Sequence, residues 1–255
     1  MKERIFILCF FISICNAGLF SQTFSQIQND SVTISGRVTD YNGHPIDSAS
    51  VWWQRQDFSE TVQTITNTDG YYRARIPKGK HNSMACINMN TYPHTVKTGI
   101  PEVDQRLEFW AWDFIADHDT VFNIRYHRME VYGIRAFRIP GATPAYQVYV
   151  RPMSLTRYFA WKKNGQSKEN RLAPPADKLK AVIWIDGEEV PLLMKQEIKE
   201  YFAPDEWGNA YLLTVNLPKQ KTANPYRIFK VMLTDLENGD CGEGLYFMEK
   251  EHYYK

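Results

Sequence analysis

Apolar and polar residues alternate with a period of two along most of this chain, the pattern of half-buried strands. Val32, Ile34, Gly36 and Val38 share one face, while Thr33, Ser35, Arg37 and Thr39 share the other. Ala49, Val51 and Trp53 repeat the pattern, as do Tyr72, Ala74 and Ile76, and later Thr120, Phe122, Ile124 and Tyr126. Turn residues separate these runs: Asn42-Gly43 ahead of Pro45, then Asp69-Gly70, then Pro77-Lys78-Gly79. Residues 32–127 therefore predict about seven short strands, the spacing of a β-sandwich. A second set occupies 128–255, with strands expected over 130–138, 146–151, 181–185, 211–217, 229–233 and 245–248. Asp186-Gly187 and Asn238-Gly239 supply hairpin turns between them. Residues 162–180 read as a long polar surface loop, and 195–202 fit either an extended strand or a short helix. The expected fold class is all-β, two consecutive antiparallel β-sandwiches.

Several phrases of the first half are similar to a known family. Gly36-Arg37-Val38-Thr39-Asp40, Gly43-His44-Pro45-Ile46, Ala49-Ser50-Val51, Thr68-Asp69-Gly70-Tyr71-Tyr72 and Ile76-Pro77-Lys78-Gly79 resemble the carboxypeptidase regulatory-like domain. The resemblance spans 32–127 and is strongest before Gly79. It departs at His81, where that family places an aromatic two residues after the turn glycine. It implies a transthyretin-like or immunoglobulin-like sandwich acting as a non-catalytic accessory module. Glu130-Val131-Tyr132-Gly133-Ile134 and the phrase from Arg151 to Tyr158 resemble exported proteins of unassigned role. Those proteins come from Gram-negative bacteria that capture polysaccharide, and they pair the same two domains.

The first residues change the picture from a plain sandwich to an exported one. Met1-Lys2-Glu3-Arg4 is followed by an apolar run from Ile5 to Ile14, the form of a secretory signal peptide over 1–21. That run is shorter than the roughly 20 residues of a membrane-spanning helix. Cleavage fits after Ala17 or after Ser21. A rival reading, a lipobox at Ile12-Ser13-Ile14-Cys15, makes Cys15 a lipid-anchored N-terminus, although Ile14 is bulky for that motif. Residues 22–31 read as a flexible leader. The destination expected is the periplasm, the outer membrane or the medium. Removing 1–21 leaves 28 basic against 28 acidic side chains, and a neutral surface offers nucleic acid no basic field. A protein or a polysaccharide is the partner expected. Export permits a disulfide between Cys86 and Cys241. Two cysteines alone do not imply one, and a buried Cys86 with a free Cys241 in a turn is the simpler reading.

Chemistry-bearing motifs are few. His127-Arg128-Met129-Glu130 spells the His-x-x-Glu start of a carboxypeptidase zinc site, yet residues three apart on a strand point to opposite faces. Asp113, Asp117, His118 and Asp119 form an acidic loop, and Asp235 to Asp240 lacks the alternation and closing Glu of a calcium loop. No nucleophile elbow, phosphate-cradling loop or Cys-x-x-Cys occurs. The expectation is no catalytic residue, no metal and no cofactor. Aromatics make up 14% of the chain, which draws attention to Trp52, Trp110 and Trp112. Strand alternation sets Trp52 and Trp53 on opposite faces and Trp110 and Trp112 on one face. Such rings either fill the space between sheets and seal the two halves together, or lie exposed and stack on sugars or a protein partner.

Overall fold

The computed structural model describes residues 30–96, 99–139 and 141–250. The expected signal peptide 1–21, Cys15 and most of the leader 22–31 lie outside the described residues. The strands of the first half are β1 (Ser31–Thr39), β2 (Ser50–Gln54), β3 (Glu60–Ile65), β4 (Tyr71–Pro77), β5 (Gly79–Lys80), β6 (Ser83–Ile87), β7 (Phe109–Trp112), β8 (Ile115–Ala116), β9 (Thr120–Val121) and β10 (Ile124–Arg125). The second half holds β11 (Met129–Phe137), β12 (Ala145–Ser154), helix α1 (Leu155–Lys163), β13 (Glu169–Asn170), β14 (Leu179–Ile185), β15 (Glu188–Val190), β16 (Leu192–Ala203), β17 (Glu206–Asn216), β18 (Tyr226–Asp235) and β19 (Cys241–Glu249).

The chain is all-β, built as two sandwiches that share their middle sheet. That sheet has eight strands in the order β15-β14-β18-β19-β7-β6-β2-β3. A small sheet, β10-β1-β4 with β9 also on β1, covers one face at the β2 end. A second sheet, β11-β12-β17 with β16 on the far edge of β17, covers the other face at the β18 end. Consecutive strand residues face opposite ways, and the two cores divide accordingly. Phe109 and Ala111 of β7 enter the first core with Val51, Trp53 and Met84. Trp112 enters the second with Val131, Tyr211 and Phe229, and Trp110 packs against it. In β19, Leu245 and Phe247 face the first core while Tyr246 and Met248 face the second.

The expected border at 127/128 is crossed by backbone pairing, because β19 pairs with β7 through Leu245 opposite Ala111 and Tyr246 opposite Trp112. That pairing is parallel, as are β1 with β9, β1 with β10, and β13 with β17. The ladders β2–β3, β2–β6, β5–β8, β6–β7, β11–β12, β12–β17, β14–β15, β14–β18, β16–β17 and β18–β19 are antiparallel, as a sandwich predicts. Parallel neighbours arise here between segments distant in sequence, where no hairpin dictates direction. Gly36 and Gly242 permit the tightest backbone approaches. A Cβ on Gly36 would lie 2.0 Å from the Phe122 carbonyl oxygen, and one on Gly242 only 1.8 Å from that of Met129.

Local turn chemistry follows the sequence. Asp186 and Gly187 take φ of 53° and 85° and close β14 onto β15 as a type I′ turn does. Residues 195–202 are strand, within β16. The stretch 162–180 is less of a loop than its polarity predicts. Lys162 and Lys163 end α1, β13 pairs with β17, and Leu172, Ala173 and Pro174 turn inward, Ala173 into the second core. Three small or apolar residues inside a polar segment suffice for that burial. Both remaining cysteines are free, Cys86 buried in β6 and Cys241 half-buried at the start of β19.

Candidate functional site

The middle sheet places the three singled-out tryptophans on one face. Ala85 lies opposite Trp52 on one side and opposite Trp110 on the other, so those three form a row across β2, β6 and β7. Ser83 and Trp112 form the neighbouring row. Trp53 points the other way into the first core. Trp52 is half-buried two strands, roughly 10 Å, from Trp110.

Trp110 and Trp112 do not stand open. Their rings stack on each other at 5.0 Å and 13°, and Tyr132 of β11 meets both edge-on, at 5.7 and 5.0 Å. Trp112 is 3% exposed. Guanidinium groups close the cluster: Arg135 lies 5.2 Å from Trp112 and 5.3 Å from Tyr246, and Arg151 lies 4.6 Å from Tyr132 and 5.0 Å from Phe202. Arg151 also pairs with Glu200 at 3.2 Å, and Glu200 accepts from the Tyr149 hydroxyl. Cations on ring faces of this kind are worth about 0.5–1 kcal/mol when exposed and more when desolvated. The cluster joins β7 of the middle sheet to β11, β12 and β16 of the covering sheet.

Beneath it lie two acids the sequence does not single out as a pair. Trp110 Nε1 donates to Glu130 Oε1 at 2.8 Å, and the Glu130 carboxyl lies within hydrogen-bonding reach of Glu108. Glu130 is 2% exposed. Burial pushes Glu108 up to about 7. Burial and the neighbouring Glu108 hold Glu130 well above the usual carboxylate range. The arrangement favours a Glu130 that stays protonated beside Glu108 while its Oε1 accepts from Trp110 Nε1. Like-charged neighbours out of water behave this way, since both cannot ionise. The only signal in the sequence is Glu130 in the His-x-x-Glu phrase. His127 is half-buried beside Arg106 and Arg128, and Glu130 looks toward Glu108 and Trp110.

The other motif residues have structural partners. Asp113 meets Lys80 at 3.0 Å, Asp117 accepts from the Tyr226 hydroxyl at 3.1 Å, and Asp119 accepts from the Thr33 amide at 2.8 Å. Asp235 and Asp240 hold α1. Asp240 accepts from Ser154 Oγ (2.7 Å), the Thr156 amide (2.8 Å) and Arg128 Nε (3.1 Å). Asp235 takes Arg157 Nε at 2.6 Å. Among the described residues, no three histidines, cysteines or carboxylates converge as a metal site, and no helix is long and apolar enough to cross a membrane. Open clefts among the described residues include one of about 340 Å³ around Asp40, His44, Asn88 and Arg106 and one of about 300 Å³ around Pro93, Phe159 and Lys162. Neither is lined by the tryptophans or by Glu108 and Glu130.

Residues 33–100 match the carboxypeptidase regulatory-like domain. The match contains every phrase quoted for the resemblance to that family and ends 27 residues before the expected limit at 127. Among solved structures, a DUF3823 family protein from Parabacteroides merdae is 9% identical, with 86% of this chain and 99% of that one covered at a TM-score of 0.26. BcpA, the major pilin subunit of Bacillus cereus, is 11% identical over 86% and 68% at 0.24. The major pilin SpaD from Corynebacterium diphtheriae is 10% identical over 85% and 64% at 0.21. No curated protein matches the chain.

Proposed function

We propose that this protein is an exported, non-enzymatic scaffold or interaction module of the periplasm or cell surface, residues 32–127 supplying the regulatory-like module and 128–255 the second sandwich. The observation that carries this reading is the continuous eight-stranded sheet. Its central strands are covered on both faces, so one rigid body presents long strand edges and loops to a partner. The acids with shifted protonation are buried beside each other and Trp110, and neither of the two clefts described above is lined by them. Export rests on the basic-then-apolar start of the chain. Cross-linking in the native cells, read by mass spectrometry, is expected to return a reproducible heterologous neighbour. Turnover of peptide, ester or glycoside substrates by the purified protein, abolished by one carboxylate substitution, would overturn the reading.

A second reading, carbohydrate binding, is favoured by one feature. Trp52 shares a sheet face with the Trp110–Trp112 stack yet stays half-buried, clear of that stack. A flat ring beside a polar strand is the platform on which sugars stack. Glycan-array binding lost in Trp52→Ala, with Trp110→Ala tested in parallel and the fold intact in both, would support it. An array with no bound glycan would remove it.

A further inference from the structure

The outer edge of the second sheet is open. Strand β16 is twelve residues long and pairs, among the described residues, with β17 alone. On an antiparallel ladder every second residue turns its amide and carbonyl away from the neighbour, so β16 presents a row of unpaired main-chain groups. Its regular stretch runs from Met194 to Tyr201, between irregularities at Leu192/Met194 and Tyr201/Ala203. Large apolar side chains stand exposed at both ends: Leu193 and Met194 at 51% each, and Tyr201 at 68%.

We propose that two copies of this protein pair edge to edge through β16, antiparallel about a two-fold axis at Ile198, joining their second sheets into one continuous sheet. The sequence of the strand selects that occupant. A two-fold axis perpendicular to an antiparallel pair passes through a residue facing its own copy. With Ile198 at the axis, Glu197 faces Lys199 of the other copy, twice by symmetry. Gln196 faces Glu200 and Lys195 faces Tyr201, all within the regular stretch. Opposed residues share a sheet face, so Glu197 and Lys199 meet on the same side of the joined sheet. An axis at Glu197 would set that acid against itself and Lys195 against Lys199. An axis at Gln196 would run through the irregularity at Leu192/Met194 and set Lys199 against Leu193.

Charges on an edge strand usually keep edges apart. Here lysine and glutamate alternate so that the register centred on Glu197 repels and the one centred on Ile198 attracts, which is how charge patterns specify a register. Both charges are also ordered before any partner arrives, by contacts to β17. Glu197 accepts from Asn209 Nδ2 at 2.5 Å and from the Tyr211 hydroxyl at 3.2 Å, and the Lys199 ammonium lies 3.7 Å from the Trp207 ring centroid. The proposal stands on this edge and goes beyond the scaffold reading, which does not require self-association.

Sedimentation velocity on the purified protein across concentration tests it, with two charge-reversal variants. The native protein is expected to show a monomer–dimer equilibrium. Glu197→Lys and Lys199→Glu are each expected to weaken it about tenfold or more, since each turns both symmetric attractive contacts into repulsive ones. An equimolar mixture of the two variants is expected to restore a dimer. One copy then carries lysine at both positions and the other glutamate at both, so each of the two symmetric contacts is again an attractive pair. A native protein that stays monomeric up to roughly 200 µM, and so has a Kd weaker than that on the affinity scale, would overturn the proposal. So would dimerisation unchanged in both variants, or variants whose mixture stays monomeric while each melts as the native protein does.

Discussion

At the scale of single residues, the pair Glu108 and Glu130 makes the sharpest prediction. A carboxyl whose folded pKa is raised binds more protons folded than unfolded, so its contribution is complete below the ordinary value near 4.3 and is lost as pH rises through the folded value. For Glu108 that value is about 7, so the loss should develop between about pH 4 and 7. Glu130→Gln keeps an oxygen for Trp110 and presents an amide donor to Glu108 with no proton to lose. The variant is expected to gain on the native protein in melting temperature as pH rises from 5 to 8. A difference that is flat or falls across that range would contradict the shared proton. Half of this site was legible. Strand alternation sets Trp110 and Trp112 on one face, and the pair does stack there. Whether that face met solvent or another sheet was not legible, because β11 and Tyr132, which cover it, arrive from a separate strand whose docking no local pattern encodes. The convergence of Glu108 with Glu130 was hidden for the same reason: they lie on segments 22 residues apart with no spacing rule between them.

At the scale of elements, helix α1 is the piece that strand periodicity passed over. Its N-cap is Ser154, whose Oγ accepts from the Arg157 amide at 3.3 Å, and Lys162 and Lys163 occupy its last turn in the favourable sense for the helix dipole. Those signals are local and readable. A nine-residue helix is nevertheless marginal by itself. What secures this one is the turn after β18, distant in sequence, through Asp235 and Asp240. Asp240→Ala should remove the Ser154 and Thr156 contacts and leave Arg128, 11% exposed, without its acid. A loss of about 3 kcal/mol is expected in denaturant unfolding, the scale of breaking a buried ion pair. A loss under about 0.5 kcal/mol, the scale of an ordinary surface change, would show that the clamp is idle. Gly242→Ala tests the second close approach. Its new methyl would press on the Met129 carbonyl, backbone that cannot swing aside. A destabilisation on the order of 3 kcal/mol or failure to fold is expected.

At the scale of the whole molecule, β7, β18 and β19 serve both cores, so the halves should unfold together. Heat or denaturant is expected to give one transition, coincident by tryptophan fluorescence and by far-ultraviolet circular dichroism. A fragment of residues 32–127 should fail to fold alone, lacking β19 beside β7 and losing Tyr226 and Phe247 from its core. A folded fragment with a sharp melt would show instead that the first sandwich is self-sufficient. The sequence by itself determined the strands, the turns at Asp186-Gly187 and Asn238-Gly239, and the regulatory-like character of 33–100, because period-two burial and positive-φ turns are local properties of neighbouring residues. Only the tertiary structure decided that the two sandwiches hold a sheet in common, which tryptophan faces were covered, and which edge was left open. Those outcomes depend on how strands distant along the chain dock, and the free energy of that docking is shared among many side chains, none of which announces its partner.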